Sequence, residues 1–236
     1  MTELLYLDDS YLKEFLANIA SVAGNKIELD KTAFYPRGGG QLGDTGKIIA
    51  SGKEYAVKSV EKVSGKVLHE MDSFEGLQAG MEINGAIDWE RRYRMMRMHS
   101  AAHVLAAVIY REIGSLITGN QLGFEESRMD YNVKDFDRNL LQGFEEKANE
   151  IVVSALPIAI SYIAREEAMK IPEIFRLRDL FPKVISDFRV ISIGDYDRQA
   201  DGGTHVRNTK EIGKIKITRL DNKGAENRRI YFELAD

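Results

Sequence analysis

The sequence contains no cysteine, so disulfides are excluded and any metal site must be built from His, Asp or Glu. No apolar run approaches the ~20 residues that a membrane-spanning helix needs. The N-terminal stretch MTELLYLDDSYLKEF carries acidic residues where a secretory signal requires a basic end, which implies a cytoplasmic protein with no membrane partner. Positive charge is not in excess either: 33 Lys and Arg stand against 37 Asp and Glu, a formal net charge of -4. Nothing global therefore draws the chain to nucleic acid, and such a partner would have to be met by basic residues gathered locally. Internal repeats, low-complexity tracts and long linkers are also missing. Histidine is scarce, at four residues, so where the four fall is informative.

With 236 residues, 44% of them hydrophobic and 30% charged, the chain can bury a core without metal or disulfide staples. Up to Trp89 it runs in short apolar stretches, LLYL, KIEL, KIIA, YAVKSV and KVLHE, broken by Gly, Asp and Ser. That pattern predicts a small β-barrel-like domain over residues 1–89. The texture then changes to ERRYRMMRMHSAAHVLAAVIYREIG, a run of good helix formers that Gly114 would stop. Residues 90–236 read as a second domain. In it ESRMDYNV, PIAISYIA, FRVISIG, GKIKITRL and RRIYFEL are predicted strands, and REEAMKIP a short helical insert. FDRNLLQGFEEKANEIVVSAL is a predicted helix, with Asp135 or Asp137 as N-cap and Pro157 closing it. Mixed elements without regular alternation predict an α+β fold, the second domain a two-layer α/β unit with a largely antiparallel sheet.

His99 and His103 lie four apart in RMHSAAHVLA, and on a helix that spacing puts both imidazoles on one face, within reach of one metal ion. Histidines on amphipathic helices also serve simply as packed or surface residues. His205 ends QADGGTHVRNT, with Asp201 four residues before it. The intervening glycines suit a tight turn that folds both side chains toward one point, because glycine adopts backbone conformations closed to other residues. A plain surface turn is the competing reading. Together the two motifs describe a three-histidine, one-carboxylate site for a divalent metal. His69 has no partner motif and reads as structural or surface.

HSAAHVL, followed by DGGTHVRNTKEIGKIKI and NKGAENRRIYFEL, resembles the editing domain of alanyl-tRNA synthetase and its free-standing relatives, the AlaX family, whose pattern is HxxxH and, far downstream, CxxxH. TAFYPRGGGQLGDTG resembles the glycine-rich motif that precedes that domain, and IDWERRYRMMRMHSAAHVL continues into it, so the resemblance spans most of the chain and matches the medium-sized AlaX form. It implies an editing hydrolase acting in trans, since 236 residues cannot hold the family's aminoacylating fragment. The implied partner is a tRNA for alanine carrying serine or glycine, and the implied cofactor is one divalent metal, zinc, on His99, His103 and His205. Asp201 stands where the pattern has cysteine, as a harder ligand of the same charge that binds directly or through water. The metal would orient the amino group or activate water.

Editing is needed because one small group gives about 1–3 kcal/mol of discrimination, and a second site can reject the alanyl ester by hydrogen-bonding the serine hydroxyl. The resemblance assigns that role to Thr118 and Gln121 in SLITGNQLGF, otherwise an ordinary loop. PRGGGQLGDTG is no P-loop, as no Gly-Lys-Ser/Thr follows. Its Gly38, Gly39 and Gly40 are either tight turns in a β domain or, by resemblance, a border of the editing cleft that receives the acceptor end. Two basic gatherings offer phosphate contacts: Arg91, Arg92 and Arg94 with Arg97, and Arg207 to Arg229, where eight Lys or Arg, including Lys214, Lys216, Lys223, Arg228 and Arg229, face only Glu211, Asp221 and Glu226. Each taken singly also fits a solvated face. A metal-free tRNA-binding module and a deacylase for another mischarged tRNA are the rival functions. A monomer is the expected state.

Overall fold

The computed structural model describes residues 2–134, 138–171, 174–175, 186–224 and 226–235. The chain divides into two compact units, Met1–Met96 and Arg97–Asp236. The helix caps expected at Asp135 or Asp137 lie outside the described residues.

In the first unit a short parallel pair, β1 (Glu3–Leu4) and β4 (Lys31–Thr32), accompanies a closed barrel. The barrel strands are β2 (Glu14–Ala23), β3 (Lys26–Leu29), β5 (Gly46–Ala50), β6 (Lys53–Val63), β7 (Lys66–Met71) and β8 (Glu82–Ile87), hydrogen-bonded in the order β2-β3-β7-β6-β5-β8. Closure leaves no open edge for another chain to pair with. Period-two alternation turns Phe15, Ala17 and Ile19 of β2 inward, onto Ile27, Leu29 and Ile48. Close packing requires Gly85, where a Cβ would lie 2.4 Å from the Phe15 ring. LLYL, read as a strand, is β1 for only its first residue and then a 3₁₀ turn, Leu5–Leu7.

His69 is fully buried in this barrel. Its Nδ1–H donates to the Ile27 carbonyl at 3.3 Å, and Nε2 accepts the Thr32 hydroxyl at 2.9 Å. Burial pushes its pKa down to about 4, so it is a neutral core residue. The glycine-rich segment makes a tight turn in which Gly38 and Gln41 exchange backbone hydrogen bonds (3.2 and 2.8 Å), and Gly39 and Gly40 take φ of 56° and 84°. Arg92 is 0% exposed. Its guanidinium donates to both Asp44 carboxylate oxygens, to the Ser10 carbonyl (2.9 Å) and to the Ala33 carbonyl (2.5 Å). The expectation that Arg92 meets phosphate is therefore corrected: it is an internal strut.

Helix α1 (Trp89–Ile113) begins in the first unit and continues into the second. Gly114, at φ 67°, ends it and donates its N–H to Tyr110 O. The second unit continues with β9 (Ile117–Gln121), β10 (Glu126–Tyr131), α2 (Arg138–Val153), β11 (Ile158–Ala164), α3 (Arg165–Ala168), β12 (Asp187–Ile193), β13 (Asp197–Ala200), β14 (Lys214–Asn222) and β15 (Arg228–Ala235). All its described strand pairs are antiparallel. The α+β class holds, but the strands form two sheets, β14-β15-β10-β9 and β11-β12-β13. SLITGNQLGF contains β9 rather than a loop throughout. Helix α2 stops before Pro157, where Ala155 takes a φ of 52°. Its Asn149 and Glu145 side chains accept the Ile215 and Ile217 N–H groups, covering the outer edge of β14. No described helix is long and apolar enough to cross a membrane.

Candidate metal centre

Helix phase explains half of the site. Arg92, Met95, Met96, His99 and His103 follow one buried stripe of α1, and the two histidines share a face with ring centroids 5.1 Å apart. The segment after β13 supplies the other half. Its His205 ring lies 4.4 Å from that of His99 and 4.6 Å from that of His103, centroid to centroid. One ligand atom from each of His99, His103, Asp201 and His205 falls within 4.8 Å of all the others.

Asp201 is held in several ways. Its Oδ2 accepts the Gly203 N–H at 2.5 Å and lies 3.0 Å from His205 Nε2. Its backbone is paired with Arg189, whose carbonyl accepts the Asp201 N–H (3.1 Å) and whose Nη1 donates to Asp201 O (2.9 Å). Asp201 Oδ1 lies 3.6 Å from His99 Nε2 and 4.0 Å from His103 Nε2. Ser100 Oγ is hydrogen-bonded to His205 Nδ1 (3.1 Å) and accepts the Val206 N–H (3.2 Å), fixing the imidazole plane. The glycines act by their small size. Neither Gly202 nor Gly203 has a positive φ, so the turn does not draw on the backbone freedom expected of its glycines. A Cβ on Gly203 would lie 2.2 Å from His99 Cε1, so only glycine leaves room for that ring.

Burial sets the protonation states. It lowers the His99 pKa, lowers that of His103 to about 4, and lowers His205 well below the ordinary imidazole value, aided there by His99. Burial would by itself raise the Asp201 carboxyl, but His99 and the hydrogen bond from His205 outweigh it and hold the group well below the usual range. Three neutral imidazoles and one carboxylate are the forms that ligate a divalent cation, and four N/O donors suit zinc. His103 Nδ1 is buried without a hydrogen-bond partner. The residues fit a metal.

Beside the cluster is a cavity of ≈ 30 Å³, lined by His99, His103 and Asp201, by apolar Ala102, Ala106, Ile117 and Met129, and by Asn120, Gln199 and Ala200. Thr118 and Gln121 are not among its lining residues. Both are exposed: Thr118 Oγ1 donates to Asn227 (3.4 Å), and Gln121 accepts from Arg128 (3.1 Å). Both flank residues of β9 that do line the cavity, Thr118 following Ile117 and Gln121 following Asn120. Sequence reasoning missed Asn120, Gln199, Ser100 and Arg189. Ser100 follows His99 directly and Gln199 is two residues before Asp201, so proximity to the ligands was the available signal.

The basic residues are dispersed. Arg228 is buried, donating to Asn222 Oδ1, Gly224 O and Lys134 O, which corrects its assignment to phosphate. Arg229 is bound to Asp130. Arg91 is half-buried and donates to Gly43 O (3.0 Å). Lys214 and Lys223 are exposed, the latter 3.6 Å from Asp221, and Lys216 pairs with Glu233.

Two family models match the chain. Residues 188–231 match the threonyl and alanyl tRNA synthetase second additional domain, and residues 6–91 match the class II (A) tRNA synthetases. The segment that carries Asp201 and His205 is thus similar to a synthetase additional domain. Whole-chain similarity is more particular. The chain is 44% identical to the alanyl-tRNA editing protein AlaX-M of Methanosarcina barkeri, with 100% of both covered, and 44% identical to that of Saccharolobus solfataricus, with 98% of both covered. It is 39% identical over 93% of its length to the alanine–tRNA ligase of Hyperthermus butylicus, of which it covers 24%. The chain belongs to the AlaX-M family of alanyl-tRNA editing proteins.

Proposed function

We propose that this protein is a hydrolase that edits mischarged tRNA for alanine, cleaving the ester of seryl-tRNA, and secondarily of glycyl-tRNA, in the cytoplasm as a monomer. The observation that carries the reading is the buried convergence of His99, His103, Asp201 and His205 beside a small, mainly apolar cavity. Residues 90–236 supply the chemistry and residues 1–89 support tRNA binding. His99, His103 and His205 with Asp201 would hold one zinc ion, which supplies a fixed positive charge for orienting the aminoacyl group or polarising its ester. The chain itself does the rest. Burial keeps the imidazoles neutral, Ser100 and Arg189 fix His205 and Asp201, and the walls at Ala102, Ala106, Ile117 and Met129 limit the amino acid to a small side chain and exclude bulk water. The exposed turn at Gly38, Gly39 and Gly40, together with Arg91, Lys214 and Lys223, contacts the tRNA without reading its sequence.

A deacylation assay on seryl, glycyl, threonyl and alanyl esters of the same tRNA tests this. Release of serine, with weaker release of glycine and sparing of alanine, is expected. Binding of tRNA without release of any amino acid would replace the hydrolase with a binding module.

A further inference from the structure

We propose that Gln199 reads the side chain of the edited amino acid, its Oε1 accepting the hydrogen bond of a β-hydroxyl. This rests on the hydrolase reading above. Strand β13 buries alternate residues, so Asp197 and Gln199 face inward while Arg198 faces out, and Gln199 lines the cavity with His103 and Asp201. Gln199 is only 5% exposed. Its Nε2 donates to Asp197 Oδ2 at 2.6 Å and, longer, to the His103 carbonyl at 3.5 Å. A carboxylate and a carbonyl can only accept, so both contacts demand the NH₂ end and the amide has one orientation. Both amide protons are thereby occupied. Oε1 receives no hydrogen bond from any described residue, and it is the acceptor that this arrangement leaves at the cavity wall.

An acceptor distinguishes substrates by what they donate. The hydroxymethyl group of serine carries an O–H, whereas the methyl of alanine and the hydrogen of glycine donate nothing and leave the amide oxygen without a donor from the substrate. Of the lining outside the histidine–carboxylate cluster, Ala102, Ala106, Ile117, Met129 and Ala200 are apolar, and Asn120 is the one other polar side chain beside Gln199. Asp197 is the positioning residue, because it holds Gln199 in the reading orientation.

The test compares kcat/KM for seryl- and glycyl-tRNA in the wild type, Gln199→Met and Asp197→Asn, with metal content and thermal unfolding recorded for each. Gln199→Met keeps the volume and removes the acceptor. The seryl-to-glycyl ratio should fall about 10- to 100-fold, the scale of one lost buried hydrogen bond, while the metal remains bound. Asp197→Asn keeps Gln199 but frees its amide to turn, and the ratio should fall in the same direction. A folded, metal-loaded variant of either kind with an unchanged ratio overturns the proposal, and because either variant suffices, misfolding of one does not end the test. A wild type that releases neither amino acid would instead defeat the hydrolase reading.

Discussion

Replacing Gly203 by alanine places one methyl group where the His99 ring already stands. The added Cβ would be 2.2 Å from Cε1 and 2.3 Å from Nδ1 of His99, and 3.0 Å from Asp201 Oδ2. Carbon atoms in ordinary contact sit about 3.5 Å apart or more, so a gap of more than about 1 Å must open. The ring has little room to retreat, since His99 is 2% exposed and the His103 and His205 rings crowd it. Metal–ligand distances tolerate only about 0.2 Å, so displacement on this scale removes His99 from the ligand set. Even groups that merely orient ligands change metal affinity by about 10- to 100-fold, and Gly203→Ala should weaken zinc binding by at least the upper figure. Overpacking should also cost about 1–3 kcal/mol of metal-free stability. A chromophoric chelator competition reads the first effect and urea unfolding the second. Gly202→Ala, with no atom within 4 Å of its Cβ, is the control and should bind zinc as the wild type does. Wild-type zinc affinity in Gly203→Ala would refute the close-approach account of this loop.

Three further outcomes are expected. Arg92→Met leaves the Asp44 carboxylate buried without its guanidinium and should destabilise the protein by about 3–5 kcal/mol in urea unfolding; a loss below 1 kcal/mol would restore Arg92 as a surface contact. His69 titrates near 6.5 when unfolded but only near 4 in the barrel, so the unfolded chain binds more protons between these values. Its contribution, about 3 kcal/mol, is complete above pH 6.5 and disappears as pH falls to 4; denaturant unfolding of wild type and His69→Gln across this range should show the steeper pH dependence in the wild type. Stripping the metal should lower the unfolding temperature, and adding zinc should restore it in wild type but not in His205→Ala, as differential scanning fluorimetry would show.

The candidate ligand cluster was legible because two periodicities are local: the four-residue helical spacing of His99 and His103, and the short segment from Asp201 to His205. The pocket was not, because its polar wall depends on strand parity. Reading SLITGNQLGF as a loop hides strand β9, where a register shift against β10 lets both Ile117 and Asn120 line the cavity while Thr118 and Gln121 are exposed. Arg92 was misassigned from charge alone, although its spacing of three, four and seven to Met95, Met96 and His99 already places it on the buried face of α1. Strands β2 and β8 escaped notice because ANIAS and NGA are poor in the β-branched residues that mark strands, and their small inward residues make room for Phe15. Division of the second unit's strands between two sheets depends on pairings far apart in sequence, which no local pattern encodes.

The most direct measurement is serine release from seryl-tRNA for alanine by metal-stripped protein titrated with zinc. Release should be absent from stripped protein, rise to saturation at one equivalent of zinc, and fail to return in His205→Ala. Full-rate release by stripped protein or by His205→Ala would contradict a metal-dependent hydrolase centred on His99, His103, Asp201 and His205.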